Sequence, residues 1–474
     1  MIKQIRNGVW EIPKDYREGM RVPARIYATR KMMDSIEEGV LKQITNVATL
    51  PGIQKAALVM PDAHYGYGFP IGGVAAFDME EGIVSPGGIG YDINCGVRLL
   101  TTNLTVDEVK PKLKELVDKL FRNVPSGVGS TGKLRISESE LDDVCINGAR
   151  WAVEHGYGRT EDLEHMEENG CMGGADPAKV GPRAKKRGRP QLGTLGSGNH
   201  FLEVQKVDRI FDEKTANAFG IKDAGQVTVM VHCGSRGFGH QVADDYIGVM
   251  LGASKKYGIN LVDRELCCAP IRSREAEDYL CAMRCAVNYA FCNREIITHW
   301  VRETFNKIFG GQEINLIYDV CHNIGKFEEH KIDGKTKEVC VHRKGATRAF
   351  AAGRKEIPET YRDIGQPVIV PGDMGTASYV LVGTQKGMEE TFGSVCHGAG
   401  RVMSRSAAKR KFRGDEVKKR LEQKGEVIRA AQMKVLAEEV PEAYKDIDEV
   451  IKSVEVTGIS KAVARVVPLG VAKG

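Results

Sequence analysis

The chain has 474 residues, 42% of them hydrophobic, and its 68 basic and 63 acidic side chains leave a formal net charge of only +5. That is apolar material for a large core, yet no run approaches the ~18 consecutive apolar residues of a membrane span. The opening Met1-Ile2-Lys3-Gln4 lacks the apolar stretch of a secretion signal, and the 12 cysteines are too sparse for a small-domain disulfide framework, so a cytoplasmic protein with free thiols is expected.

In chain order, the first signals are glycine clusters at residues 66–73 and 87–96, where backbone must turn sharply or approach a ligand. Leu113, Leu116, Val117 and Leu120 carry helical periodicity. Gly127-Val-Gly-Ser-Thr-Gly132-Lys133 imitates a phosphate loop, but Leu134 stands where such a loop needs a hydroxyl. The segment before it also does not read as a strand, so a glycine-rich turn is expected. Lys179, Arg183, Lys185, Lys186, Arg187 and Arg189 form a basic run without an acid among them. Further glycine clusters fall at 193–198, 234–239 and 372–400.

Residues 227–232, 314–321 and 367–370 are short β-branched apolar runs that predict strands, while 276–308 predicts a long helix and 415–427 a charged one. Strands and helices alternate without a steady βαβ rhythm and no linker separates them. The expected fold is α+β, in a single large domain spanning residues 1–474.

Metal-competent side chains gather where these elements stop. Asp92 and Cys95 lie in a glycine-rich turn, His200 follows Gly198-Asn199, His232 ends the 227–232 run and His322 ends the 314–321 run. Carboxylate, thiolate and imidazole are the ligands proteins use for divalent metals, and a strand end beside glycine is rigid yet open to substrate. A lone histidine at a strand end is more often structural; the grouping is what favours metal. Cys233 and Cys321 neighbour histidines on strands, so they point to the opposite face and are expected in the core.

The motifs together resemble the RtcB family of RNA-splicing ligases. They are Pro61-Asp-Ala-His-Tyr-Gly-Tyr-Gly-Phe-Pro-Ile-Gly-Gly73, Asp92-Ile-Asn-Cys-Gly96, Gly196-Ser-Gly-Asn-His-Phe-Leu-Glu203, His232-Cys-Gly-Ser-Arg236, Asp319-Val-Cys-His-Asn323, Val341-His-Arg-Lys-Gly-Ala-Thr-Arg348, Pro371-Gly-Asp-Met-Gly375 and His397-Gly-Ala-Gly-Arg401. The resemblance implies two Mn²⁺ ions sharing Cys95, one held also by Asp92 and His200, the other by His232 and His322. It implies GTP as the nucleotide and His397 as the residue that carries the guanylate. GTP contacts carry over to Asn199, His200, Phe201, Leu202, Glu203, His322, Asn323, Pro371, Gly372, Asp373, Met374, Ser378, His397, Gly398, Ala399, Gly400, Tyr444 and Lys473. Asp373 is an acid at a nucleotide-side position, where it could read a base edge or repel phosphate.

The implied reaction joins an RNA end bearing a 3′-phosphate or 2′,3′-cyclic phosphate, as in tRNA halves, to a 5′-hydroxyl end, with an archease-type helper protein. A thiolate ligand by itself favours Zn²⁺. The resemblance favours Mn²⁺, whose octahedral shell leaves room for phosphate, and Zn²⁺ is then expected to inhibit. For RNA contacts the basic run supplies Lys185, Lys186, Arg187 and Arg189, with Arg343 and Lys344 as a second group. Asp62 and His64 are expected to support the site or face the RNA. The competing readings are a two-metal phosphoesterase without GTP and a non-catalytic RNA-binding module.

Overall fold

A computed structural model describes residues 2–474. Two large sheets organise it. One has seven strands in the order Lys3–Arg6, Val9–Ile12, Ala24–Tyr27, Ala57–His64, Ile71–Asp78, Lys335–Lys344 and Asn323–Ile332. The other runs Ile314–Cys321, Gly96–Thr105, Gln226–Cys233, Phe201–Ile210, Ser460–Lys473, Ser378–Gly383 and Pro367–Val370, and Val427–Ala430 joins Ser460–Lys473 in parallel. Neighbours are mostly antiparallel and helices fill the connections, as an α+β fold requires.

The 36-residue helix Arg274–Phe309 is the central support. Ser273 caps its first turn by accepting the Ala276 N–H, and its inner face is apolar through Tyr279, Met283, Phe291, Ile296 and Phe305. The same helix carries buried charge. Arg294 and Arg98 both pair with Asp319, and Arg98 also pairs with Glu295 at 2.6 Å. These groups are fully enclosed, and the two arginines and Asp319 have their hydrogen-bond partners, which is the condition for burying charge, while burial raises Glu295 to about 8.

The strands Ile314–Cys321 and Pro367–Val370 start and stop where the sequence predicts. The charged helix does not. It spans Gly414–Gln423 and ends at Gly425, whose φ of +94° breaks the helix, and residues 427–430 turn into a strand against 470–473. The segment 127–133 is irregular and follows the helix Leu113–Asn123 directly, so it lacks the strand a phosphate loop needs. Among the described residues no helix is long and apolar enough to cross a membrane.

Candidate active site

Register places four separated segments at one end of four adjacent strands of the second sheet. Cys95 immediately precedes Gly96–Thr105, His200 precedes Phe201–Ile210, His232 lies near the end of Gln226–Cys233, and His322 follows Ile314–Cys321. Gly96 pairs with both Cys233 and Cys321, and His232 pairs with Phe201. In an antiparallel sheet the start of one strand lies beside the end of its neighbour, so these side chains converge.

They form two triads that share Cys95: Asp92, Cys95 and His200, and Cys95, His232 and His322, with the ligand atoms of each triad within 4.8 Å of one another. Cys95 Sγ lies 3.4 Å from His200 Nε2 and 3.2 Å from His232 Nε2, and His232 Nε2 lies 3.3 Å from His322 Nε2. Asp92 Oδ2 stands 2.9 Å from His200 Nε2. His200 Nδ1 faces the Leu195 carbonyl at 3.1 Å and carries a proton. Against the opposing effect of burial, Cys233, Cys95 and Asp92 hold the imidazole well above its ordinary range, so Nε2 is the atom at which a metal would take the place of the second proton. A lone pair and a carboxylate at that separation repel unless positive charge lies between them.

Burial, followed by the Asp92 carboxylate, pushes the Cys95 thiol up to about 12, so a thiolate there also needs a cation beside it. Burial and neighbouring His397 hold His322 well below the ordinary imidazole range, and burial with His200 does the same to His232. Neutral imidazoles are the form that binds metal. The donor set fits divalent cations. Cys233 and Cys321 face the core instead: their Sγ atoms donate to Leu195 O at 3.0 Å and Glu167 Oε2 at 3.2 Å.

His397 stands beside this cluster, its ring 5.0 Å from that of His322 and inclined to it by 63°. Its Nδ1 donates to Asp62 Oδ2 at 2.5 Å, and the same oxygen accepts the backbone N–H groups of His397 at 3.0 Å and Gly398 at 3.3 Å. Asp62 is fully buried. The carboxylate therefore fixes the tautomer of the neutral ring, in which Nε2 carries the lone pair a nucleophile needs. Gly400 (φ +73°) packs against the Asp62 backbone, where a β-carbon would lie 1.9 Å from its carbonyl oxygen.

A cavity of about 610 Å³ opens over both groups. Its walls include the metal-competent residues with Asn199, Phe201, Asn323, Pro371, Gly372, Asp373, Met374, His397, Gly398, Ala399, Gly400, Tyr444 and Lys473. Lys473 Nζ donates to Gly198 O at 2.9 Å and lies 5.8 Å over the Phe201 ring. Leu202, Glu203 and Ser378 stand behind the wall. Leu202 alternates into the core, Glu203 is buried and accepts from Gln205 at 2.8 Å, and Ser378 Oγ accepts from Gly372 N–H at 3.1 Å, holding the loop. Asp373 is tied to its own turn by Gly375 N–H at 2.9 Å and Thr376 Oγ1 at 2.7 Å.

A family profile described as tRNA-splicing ligase RtcB matches residues 43–474. The chain belongs to the RtcB family. Curated relatives named tRNA-splicing ligase RtcB include those of Archaeoglobus fulgidus, 63% identical over 478 residues, and Thermococcus kodakarensis, 57% identical over 478 residues. That of Nanoarchaeum equitans is 51% identical over 478 residues. Each alignment covers 100% of this chain and 99% of the relative.

In this RtcB-family chain the expected basic residues separate. Lys186, Arg187 and Arg189 are exposed on or just after the short helix Pro182–Gly188, while Lys185 is paired with Asp142 at 2.7 Å. Arg343 is a correction: it is fully buried, paired with Glu328 at 2.6 Å and hydrogen-bonded to Ser394 at 2.8 Å, so it cannot meet RNA. Residue type gave no sign of this, because an arginine with a buried carboxylate partner reads the same in sequence as an exposed one. Lys344 lines the cavity rather than an outer face. It donates to the Tyr67 and Gly87 carbonyls, and burial brings it down to about 7.

Arg236, Arg401 and Glu439, which the sequence alone did not single out, line the cavity, and so does Arg405. Arg401 lies 4.9 Å over the Tyr444 ring and bonds Glu439 at 3.1 Å. Arg236 holds a left-handed φ of +55°, a costly conformation for a side chain this large. Position within the quoted motifs was the only signal for Arg236 and Arg401, and Arg405 and Glu439 carried none.

Proposed function

We propose that the chain is a GTP-dependent, divalent-metal RNA ligase that joins a 3′-phosphate or 2′,3′-cyclic phosphate end to a 5′-hydroxyl end through guanylated His397, in tRNA splicing and RNA repair. The observation that carries this reading is His397 beside the metal-competent cluster, with Nδ1 held by Asp62 and Nε2 free. A two-metal phosphoesterase has no use for such a nucleophile.

Asp92, Cys95 and His200 would hold one divalent ion and Cys95, His232 and His322 a second, and Mn²⁺ is the metal this reading takes for both. Bound there, they would neutralise the crowded phosphates and polarise them toward attack. His397 Nε2 attacks the α-phosphorus of GTP, forming a P–N bond as pyrophosphate leaves. Asp62 stabilises the charge that appears on the imidazole. A cyclic end is first opened by water, which adds to phosphorus as the P–O2′ bond breaks and the 2′-oxygen takes the proton. A 3′-phosphate oxygen of the RNA then takes the guanylate, the P–N bond breaks, and His397 regains its lone pair. The 5′-hydroxyl finally attacks the activated 3′-phosphate and GMP leaves.

Asn199, Phe201, Tyr444, Lys473 and the 371–374 and 397–400 turns form the nucleotide side. Lys186, Arg187 and Arg189 hold RNA phosphates beside it. A helper of the archease type and a cytoplasmic location belong to the same reading.

The deciding experiment incubates the protein with GTP labelled in the α-phosphate and Mn²⁺, without RNA. Label is expected to stay on the denatured protein, to survive base, to be lost in acid and to be absent from His397→Ala. An acid-stable adduct, or one that persists in His397→Ala, removes the assignment.

A further inference from the structure

One wall of the cavity is aromatic, and the mechanism makes no use of it. Tyr65, Tyr67, Tyr91 and His240 all line the opening. The Tyr67 and Tyr91 rings meet edge to face at 5.6 Å, and Tyr91 and His240 are near-parallel, 25° apart, with centroids at 6.0 Å. Tyr65 is 59% exposed and His240 is exposed, while Tyr67 and Tyr91 are half-buried. Tyr91 directly precedes Asp92, so the strip begins at the metal-competent cluster. His240 lies one turn into the helix Arg236–Lys256, so the strip continues outward along it.

Cations flank the rings. The short helix Pro182–Gly188 is tied to the helix Arg236–Lys256 by Arg187 Nη1 donating to Gln241 Oε1 at 3.0 Å. Gln241 is the residue after His240, and Arg183, Lys186 and Arg187 are exposed there. Across the opening, the nucleotide-side aromatics are engaged separately, Phe201 under Lys473 and Tyr444 under Arg401.

We infer that Tyr65, Tyr67, Tyr91 and His240 form a stacking platform for the unpaired nucleobases of the RNA end, with the phosphates held by Arg183, Lys186 and Arg187. Aromatic faces beside a cationic track are the means by which proteins hold single strands without reading sequence. The platform positions the end by stacking and accepts any base. It rests on the RNA-ligase reading but makes a separate claim, about bases rather than chemistry.

The test measures anisotropy of a fluorescent 5′-hydroxyl RNA 12-mer on the full chain, compared with a 12-mer whose terminal residues are abasic. Tyr91→Ala and Tyr65→Ala are expected to weaken binding about fivefold to a hundredfold each, while Tyr91→Phe binds as wild type. The salt slope should stay unchanged, because a lost ring releases no counterions. The abasic RNA should bind wild type and Tyr91→Ala alike. Tyr65 is exposed, so its truncation leaves the core intact and covers the case in which Tyr91→Ala misfolds. Wild-type affinity in both alanine variants, or an equal loss on intact and abasic RNA, overturns the platform. Failure of the wild type to bind or join any RNA sinks the underlying reading instead.

Discussion

The Asp62 carboxylate sits beneath His397, taking the Nδ1–H at 2.5 Å and two backbone N–H groups through the same oxygen. The nucleophile is thus held in one tautomer and one orientation. Asp62→Ala removes the acceptor altogether, so the ring is free to rotate and to carry its proton on Nε2. We expect the rate of label transfer from GTP to fall by roughly two to four orders of magnitude, with metal content unchanged. A single-turnover rate near wild type would show that Asp62 does not set the tautomer.

His397→Ala should fail to join a 3′-phosphate end. It should still join an RNA already ending in 3′-diphosphate-guanosine, since the task of the nucleophile is then complete. Product analysis on a denaturing gel decides this, and loss of both reactions would place His397 in the metal site or the fold.

Cys95 and Cys233 should part company. Cys95 Sγ belongs to both triads, whereas Cys233 Sγ donates to the Leu195 carbonyl in the core. Cys95→Ala is expected to lose both metals after dialysis against Mn²⁺, and Cys233→Ala to keep them. Elemental analysis of the dialysed proteins checks it, and equal metal in Cys95→Ala and wild type refutes the shared ligand.

Arg294 braces that ligand from behind. Its guanidinium donates to the Asn94 carbonyl at 2.9 Å, the Cys233 carbonyl at 2.8 Å and Asn94 Oδ1 at 3.0 Å, and Asn94 itself sits at φ +51°. Asn94→Gly accepts that φ but loses both side-chain bonds, the one from Arg294 and the one donated to the Val287 carbonyl at 2.8 Å. It should fold with a loss of about 1–3 kcal/mol and bind Mn²⁺ about tenfold to a hundredfold more weakly, the usual effect of losing support behind a ligand. Calorimetric titration with Mn²⁺ measures this, and unchanged affinity would make the brace purely structural.

Arg343 and the pair Lys186 and Arg187 make opposite predictions. Arg343→Met leaves the buried Glu328 with His330 as its remaining partner and should cost about 3 kcal/mol in urea unfolding, leaving the salt slope of RNA binding alone. Replacing Lys186 and Arg187 by Gln should leave stability alone and lower that slope by roughly 0.7 per lost phosphate contact. The reverse pattern would return Arg343 to the RNA surface.

Acid sensitivity should report His342. It is fully buried, accepts the Ser85 N–H at 3.1 Å through Nε2, and burial takes it from 6.5 down to about 4. The unfolded imidazole binds a proton below about 6.5 while the folded one resists until about 4. Its contribution is therefore fully present above 6.5 and lost as pH falls through that window, roughly 3 kcal/mol in all. Denaturant midpoints in chelator at pH 7 and 5 should fall less steeply in His342→Gln than in wild type; equal slopes would contradict it.

Local pattern alone set much of what is seen. The strands at 314–321 and 367–370 follow from β-branched apolar runs between polar stops, and the helix Arg274–Phe309 follows from its repeating apolar face. Residue type and neighbouring glycine marked Asp92, Cys95, His200, His232 and His322 as ligand candidates before any geometry. Their union was not local. It depends on antiparallel register, in which Gly96 lies beside Cys233 and Cys321 and brings distant chain segments to one end of adjacent strands. Burial was equally invisible. Arg343 and Arg187 are the same residue type in basic stretches, yet one faces Glu328 inside the fold and the other faces solvent. A charge keeps its identity in any sequence, but its partner and its dielectric are supplied by packing, and only the tertiary structure fixes those.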